Sequence, residues 1–254
     1  MPKLNKCVFR IIRITSICLL MLALILLSFP QSTVFDIYGH GAFAPRTIVY
    51  HSVCEQAPDN FNYLYVRPND FESQLEYLDS NGYITLFADE WQITNAPSVI
   101  ITFDDGYVDN YTTVFPLLKK YKLKATVFLI TDMIGSHNYL NEDQIKEMYE
   151  SGLVVFQSHS IHHNDLSALS VKELTDDLHL SALRIEKMLG RDVKAVSYPL
   201  GIYNETVIDS VGKFYTYAYT TDPPRYTKNF THFNIPRAYI TWDCDLIDFI
   251  KIVS

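Results

Sequence analysis

The sequence VIITFDDGY at residues 99–107 decides which fold we expect. The run 99–103 is short, apolar and rich in β-branched residues, which is typical of a strand buried on both faces of a parallel sheet. Asp104, Asp105 and Gly106 follow it directly. In barrel-like folds the carboxyl ends of the strands build the active site. The stretch therefore predicts a buried strand that carries two functional carboxylates at its end, although two acids there could also only cap the next helix.

Strand-like runs alternate with amphipathic helices over most of the chain. Predicted strands at 47–51, 99–103, 125–130 and 153–157 are each followed by a predicted helix. Repeated βα order implies a parallel sheet, and the roughly seven units that we count can close into a barrel. We therefore expect an α/β fold, a distorted (β/α) barrel of about seven units, with residues 46–254 as its single domain.

The first 30 residues have the composition of an export segment. Residues 1–13 are basic, residues 14–29 are almost entirely apolar, and no acid occurs before Asp36. A positive flank before an apolar run predicts that the N terminus stays in the cytoplasm. The run is at the short end for a bilayer span, where about 17–25 residues are usual. Residues 1–30 are therefore expected to be a transmembrane signal anchor or, alternatively, a cleaved signal peptide, with residues 31–45 as a linker.

Such an N terminus predicts a single-pass cell-membrane protein with its domain outside the cytoplasm, or a secreted one. The net charge of −8 argues against nucleic acid as a partner, because nucleic-acid affinity comes from Lys and Arg. The 18 Tyr favour a sugar-binding surface, or reflect composition alone. None of the four Cys forms a CxxC pair, so a thiolate zinc site is not expected. Cys54 and Cys244 either form a disulfide or remain buried thiols.

A second polar motif, HSIHH at residues 159–163, follows another predicted strand. His159 and His163 are four residues apart, so on a helical turn they would share one face, while His162 would fall off it. Two imidazoles at that spacing suit zinc. With one carboxylate of the Asp pair they make three ligands and leave positions open, a set compatible with Zn²⁺ and also with Co²⁺, Ni²⁺ or Fe²⁺. Exposed histidines in a surface turn are the alternative.

A cation in this set predicts hydrolysis of an amide or ester. It would polarise a carbonyl and activate water, and the second carboxylate could take the proton of that water.

The two motifs resemble those of the polysaccharide deacetylase family, also called the NodB-homology domain or carbohydrate esterase family 4. TFDDGY at 102–107 and HSIHH at 159–163 are similar to the first two motifs of that family, in the same order. The resemblance implies that Asp104 is the general base. The implied metal ligands are Asp105, His159 and His163.

A third stretch, SYPLG at residues 197–201, resembles the YPxG form of the third motif of the family. The resemblance implies that the backbone N–H of Leu200 helps to hold the oxyanion. Tyr107 and Tyr198 lie within the first and third motifs and are our candidates for substrate binding.

The chain departs from the family pattern at two points. Many members place Arg in the third motif to orient the base, where this chain has Ser197. Arg237 is our candidate for that task, with a surface Arg as the alternative. The late Leu-x-His motif, whose His is the general acid in many members, is absent. His232 is our candidate acid and His51 the other one, unless His232 is simply a loop histidine.

The resemblance implies a metal-dependent hydrolase that removes N-acetyl groups from an N-acetylglucosamine polymer at the cell surface or outside the cell. The same residues allow an O-acetyl xylan-type esterase or a metal amidase for a small amide. The departures from the pattern also allow a non-catalytic glycan-binding domain.

Overall fold

The structure, a computed structural model, describes residues 44–55, 64–223 and 230–254. They belong to one compact unit, Phe43–Ser254. The predicted export segment, residues 1–30, and most of the predicted linker, residues 31–45, lie outside the described residues. Within the described ranges, no helix combines the length and the apolar character that a membrane span requires. Cys54 and Cys244 are not joined by a disulfide.

Ten strands and six α-helices make up the described part of the chain. The strands are β1 (Arg46–Tyr50), β2 (Ser52–Val53), β3 (Tyr65–Val66), β4 (Ile84–Leu86), β5 (Ser98–Phe103), β6 (Ala125–Leu129), β7 (Val154–Ser158), β8 (Ala195–Ser197), β9 (Tyr217–Tyr219) and β10 (Ala238–Tyr239). The helices are α1 (Pro68–Ser80), α2 (Phe115–Tyr121), α3 (Glu142–Glu150), α4 (Val171–Leu189), α5 (Glu205–Val211) and α6 (Leu246–Val253). A π-helical turn, Asn110–Val114, precedes α2.

Eight of the strands form one parallel sheet. Seven follow the order β10-β1-β5-β6-β7-β8-β9, and β4 pairs with the first residues of β5. Residues 232–240 connect the two sides of this path. The N–H of Thr220, just after β9, donates to the Ile235 carbonyl (2.9 Å), and the N–H of Ile240 donates to the Val49 carbonyl in β1 (3.0 Å). The sheet is therefore curled and barrel-like, as the sequence predicts.

The two faces of β5 pack against different layers. Ile101 and Phe103 lie in the main core, which joins the sheet to the helices, whereas Ile100 lies in a smaller cluster with Phe128 and Tyr219. Side chains alternate across a strand, so Thr102 and the residue after the strand, Asp104, continue the row of Ile100. The sheet thereby delivers Asp104 to the interior of the curl at its carboxyl end.

Helix α4 begins and ends at residues that suit those positions. Ser170 caps the helix by accepting from the Glu173 N–H, and the Glu173 side chain accepts from Ser170 in return. Gly190 ends the helix at φ +65°, a left-handed value that glycine adopts without strain. Leu178 and Ile185 on its inner face are buried in the main core.

Candidate active site

A left-handed turn at the end of β5 places the two aspartates. Asp105 has φ +72° and Gly106 has φ +81°. A Cβ at Gly106 would lie 2.7 Å from Leu129 Cδ2, so only glycine fits there. Neighbouring residues on a strand point to opposite faces. The turn instead brings both near His159, whose Nε2 lies 3.9 Å from Asp104 Oδ2 and 3.5 Å from Asp105 Oδ1.

The histidines at residues 159 and 163 meet through a loop, not through the helical turn that their spacing predicts. Ser160 (φ +67°) and His163 (φ +59°) both have left-handed backbone. The two imidazole centroids are 4.8 Å apart, and His163 Nε2 lies 3.7 Å from Asp105 Oδ1. His162 lies outside this group and pairs with Asp132 in solvent (3.2 Å).

A hydrogen bond fixes the orientation of the His159 ring. Its Nδ1 lies 2.8 Å from the Ser197 carbonyl oxygen. A carbonyl can only accept, so Nδ1 carries the proton and Nε2 presents a lone pair toward the two aspartates. Burial lowers the pKa of His159 against the opposing charges of Asp104 and Asp105. The ring is therefore held in the neutral form that binds metals.

Three side chains fit a divalent cation. Ligand atoms of Asp105, His159 and His163 all lie within 4.8 Å of one another. Asp105 Oδ1 is buried and has no hydrogen-bond partner, which is costly for a carboxylate unless a cation balances it. Two imidazoles and one carboxylate are a common zinc ligand set that leaves a position open.

The neighbouring carboxylate, Asp104, is held by Arg237. Arg237 Nη1 donates to Asp104 Oδ1 and Nη2 donates to Oδ2, both at 2.7 Å. The Ser197 hydroxyl lies between them, accepting from Arg237 Nη2 (2.7 Å) and donating to Asp104 Oδ2 (3.0 Å). Arg237 is 0% exposed, so it is not a surface arginine. It occupies the position relative to Asp104 that we expected of an orienting residue.

Two residues that the sequence analysis missed complete the setting of Arg237. Its Nη1 also donates to Thr102 Oγ1 (3.1 Å), and its Nε donates to the Thr220 carbonyl (2.9 Å). Thr102 lies on β5, two residues before Asp104, so the two side chains point to the same face. This spacing can be read from the sequence. The contact with Thr220 uses its backbone oxygen, which every residue has, so the identity of the residue at position 220 could not have predicted it.

The environment keeps Asp104 ionised. Burial alone raises its pKa, but the Arg237 guanidinium opposes burial and holds the pKa well below its usual range. For Asp105, burial is again the largest effect, and the pKa is raised. The two neighbours therefore differ: one carboxylate is compensated by a protein cation and the other lacks that compensation.

His51 lies at the same end of the sheet, directly after β1. It is 8% exposed and stacks on Tyr239, with ring centroids 5.6 Å apart and an interplanar angle of 10°. Burial lowers its pKa to about 4, while the nearby charges of Asp104 and Arg237 act in opposite directions. His51 is therefore a neutral imidazole within the electrostatic field of the site.

His232 is not at this end of the sheet. Its ring packs against Trp91 (6.0 Å) and Tyr217 (5.2 Å). Tyr217 is the first residue of β9, whereas Thr220, which touches Arg237, follows the last one. With a rise of about 3.3 Å per residue, the two positions are about 10 Å apart. The assignment of His232 as general acid is therefore corrected, because the ring lies among aromatic side chains away from the aspartates.

Leu200 lies in a tight turn after β8. The turn, Pro199–Gly201, gives Leu200 a left-handed backbone at φ 59° and leaves its side chain 59% exposed. A Cβ at Gly201 would lie 1.9 Å from Thr221 Oγ1, so glycine is required there too. The turn follows Ser197 and thus stands at the rim of the site.

The two candidate tyrosines have different surroundings. Tyr107 is partly buried, stacks on Tyr139 (5.1 Å) and shares a hydrogen bond with Asp105. Tyr198 is fully buried, and its hydroxyl donates to the Phe233 carbonyl (2.8 Å). A ring with no exposed surface cannot bind a sugar, so the prediction for Tyr198 is wrong, and Tyr107 stays a candidate.

Comparisons with known proteins agree with this geometry. The family model for polysaccharide deacetylase matches residues 92–219, which contain the DDG and HSIHH motifs. YxkH of Bacillus subtilis (strain 168), whose name assigns it provisionally to the polysaccharide deacetylases, is 36% identical over 184 residues. That alignment covers 69% of this chain and 64% of YxkH, so the chain spans a little less than two thirds of that relative.

A second relative is poly-beta-1,6-N-acetyl-D-glucosamine N-deacetylase of Staphylococcus aureus (strain MRSA252). It is 31% identical over 70% of this chain and 68% of its own length. Among solved structures, the polysaccharide deacetylase BC0361 of Bacillus cereus superposes with a TM-score of 0.78 at 28% identity, covering 84% of this chain and 70% of BC0361. The deacetylase PplD of Streptococcus pyogenes, solved with acetate, gives 0.76 at 27% identity, with 84% and 99% covered. The chain belongs to the polysaccharide deacetylase family.

Proposed function

We propose that this chain is a metal-dependent hydrolase that removes N-acetyl groups from an N-acetylglucosamine polymer. The observation that carries the proposal is that a cluster of potential metal ligands and an oriented carboxylate lie together at the carboxyl end of the sheet. Asp105, His159 and His163 form a cluster of metal-ligating side chains, and the adjacent Asp104 is ionised and oriented by Arg237. A cation site beside an oriented carboxylate base is the arrangement that hydrolysis of an amide needs.

The choice of substrate is supported by one relative. The Staphylococcus aureus protein is named for deacetylation of poly-β-1,6-N-acetylglucosamine. At 31% identity this name supports an N-acetylglucosamine polymer as the class of substrate for the present chain. The net charge of −8 agrees with a polymer that becomes cationic as acetyl groups leave.

The side chains divide the work as follows. A divalent cation bound by Asp105, His159 and His163 supplies Lewis acidity at the acetamide group. Asp104 accepts the proton of the attacking water. Its Oδ2 lies 3.9 Å from Nε2 of the ligand His159 and accepts from Arg237 and Ser197, whereas its Oδ1 accepts from Arg237 alone and keeps a lone pair for the proton.

Two further groups complete the proposal. In the proposal, the N–H of Leu200, in the turn that follows Ser197, holds the developing oxyanion. His51 takes over the role of proton donor to the leaving amine in place of His232. Because its pKa is about 4, the ring is neutral at rest. In the proposal it receives the proton that Asp104 took from water and passes it to the leaving amine, which returns Asp104 to its ionised form and His51 to its neutral form.

Acetate release from a β-1,6-linked N-acetylglucosamine oligomer tests the proposal. Zinc-loaded protein is expected to release acetate and form free amines, and a chelator is expected to stop both. Release from acetylated xylan oligomers alone would indicate an O-acetyl esterase instead. Glycan binding without turnover in the zinc-loaded protein would indicate a non-catalytic domain and contradict the proposal.

We also propose that the domain acts outside the cytoplasm, held at the cell membrane by residues 1–30 or secreted after their removal. The basic flank and apolar run of that segment support the proposal. Expression in a bacterial host followed by protease treatment of intact cells tests it: the domain is expected to be degraded, whereas full protection would contradict the proposal.

A further inference from the structure

The loop of residues 159–163, here called the His loop, has a backbone that its sequence does not favour. Ser160 and His163 lie at φ +67° and +59°, values that residues other than glycine rarely adopt. Such conformations persist only where surrounding structure holds them. The convergence of the two imidazoles on Asp105 depends on this backbone, so the contacts that hold it also determine the geometry of the ligands.

One such contact comes from helix α4. Asp177 is 5% exposed, and its Oδ1 accepts from the Ile161 N–H at 3.0 Å. Ile161 lies midway between the two ligands, and its carbonyl accepts from the Asp132 N–H at 3.1 Å. The central residue of the His loop is therefore held on one side by α4 and on the other by the chain after β6.

Helix α4 makes a second contact one turn further on. Ser158 Oγ donates to Ser181 Oγ (2.9 Å) and accepts from the Ser160 N–H (3.2 Å). Ser160 Oγ in turn accepts from the His163 N–H (2.9 Å). The helix itself is anchored by Leu178 in the main core, so it offers a rigid support.

The neighbouring acid on α4 has no such role. Asp176 is exposed and pairs with Lys172 on the same helix. Asp177 is buried, although a buried carboxylate is costly unless it is bonded, and its hydrogen bond goes to the backbone of the His loop. The two adjacent aspartates therefore form a natural pair of test and control.

We propose that Asp177 is a positioning residue of the metal centre. By holding the Ile161 N–H, it keeps the His loop in the left-handed form that presents His159 and His163 to one cation. The inference rests on the proposed function, in which those two side chains and Asp105 bind a divalent ion.

Zinc affinity of the metal-free protein, measured by competition with a chromophoric chelator, tests the inference without reference to turnover. Asp177→Ala is expected to weaken zinc binding by about tenfold or more, the size of effect that outer partners of metal ligands have. Asp177→Asn keeps a carbonyl oxygen that can accept from Ile161 and is expected to bind zinc nearly as the wild type does. Asp176→Ala is expected to leave zinc affinity unchanged.

Asp177→Leu covers the case in which the alanine variant does not fold. It removes the acceptor, as Asp177→Ala does, but fills the buried volume with apolar atoms and so avoids the cost of a cavity. Its zinc affinity is expected to fall as that of Asp177→Ala does.

Three results would overturn the inference. Wild-type affinity in folded Asp177→Ala or Asp177→Leu, even with a lowered melting temperature, would reduce Asp177 to a structural residue. An equal loss of affinity in Asp177→Asn would show that the bond to Ile161 is not the cause. A wild-type protein that binds no zinc would overturn the proposed function itself, and the inference with it.

Discussion

The two ends of the curled sheet each contain a buried aspartate that pairs with an arginine, yet only one end has the geometry of a site. At the carboxyl end, Arg237 makes two bonds to Asp104 and is itself fully buried. At the amino end, just before β8, Arg191 reaches Asp89 through one nitrogen at 2.6 Å and remains a third exposed. Two hydrogen bonds from a buried arginine fix the orientation of a carboxylate, whereas a single hydrogen bond only balances its charge.

The carboxylate oxygens that lack a hydrogen-bond partner show the same difference between the two ends. Asp89 Oδ1 and Asp105 Oδ1 are both buried without a hydrogen-bond partner. Within the part of the chain that the structure describes, only Asp105 has two imidazoles close enough to share an ion with it. An unsatisfied oxygen is therefore not a site by itself, and the convergence of further ligands makes it one. Matched substitutions at the two ends can break or sharpen this contrast.

The largest effect is expected from removing the base. Asp104→Asn should lower acetate release by roughly 10²–10⁴-fold, the usual contribution of a general base, while the protein still binds zinc. Asp89→Asn at the amino end should leave acetate release close to that of the wild type. Acetate assays on both zinc-loaded variants check the prediction, and substantial activity in Asp104→Asn would remove that residue from the mechanism.

Loss of the buried arginine comes next. Arg237→Ala leaves Asp104 buried without its cation, which should lower the free energy of unfolding by about 3–5 kcal/mol. Arg191→Ala also leaves a buried carboxylate, Asp89, but it removes one bond from a partly exposed partner and should cost less, about 1–3 kcal/mol. Urea denaturation of the metal-free proteins measures both. Equal losses at the two ends would contradict the distinction between the pairs.

The histidines give a third contrast. His159→Ala removes a proposed ligand and should weaken zinc binding by at least the roughly 10–100-fold seen for outer partners. His232→Ala should leave zinc affinity and acetate release unchanged, because that ring packs on Trp91 and Tyr217. Chelator competition provides the affinities. A large effect of His232→Ala on acetate release would restore it as a candidate acid.

The smallest effect concerns pH and His51. Its folded pKa of about 4 is below the unfolded value of about 6.5. Its neutral form therefore supports folding above about pH 6.5, and that support is lost as the pH falls toward 4. Between pH 7 and pH 5 the wild type should lose about 1–2 kcal/mol more stability than His51→Gln. Denaturation of both proteins at the two pH values checks this, and parallel losses would contradict it.

Much of this arrangement could be predicted from the sequence because it depends on strand ends. Buried β-branched runs mark strands, parallel strands end at one edge, and polar motifs directly after them must therefore meet there. Arg237 was predicted because the resemblance implies an orienting arginine that the third motif lacks here, even though 133 residues separate it from Asp104.

The errors have physical causes that residue type does not reveal. Tyr198 was chosen because it lies in the third motif, and His232 because it is the only histidine late in the chain. Burial, and the end of the strand at which a residue lies, decide what a side chain can reach. The spacing of the two histidine ligands predicts a helical turn, whereas left-handed residues at 160 and 163 bring them together. The role of Asp177 depends on a contact across 16 residues to a backbone N–H.

A crystal structure of zinc-loaded protein, with anomalous data at the zinc absorption edge, tests the central claim most directly. The account predicts one strong peak within about 2.0–2.2 Å of an Asp105 oxygen and of one nitrogen each from His159 and His163. The Asp104 carboxylate should remain bonded to Arg237. A peak at other residues, or none at these three, would contradict the account.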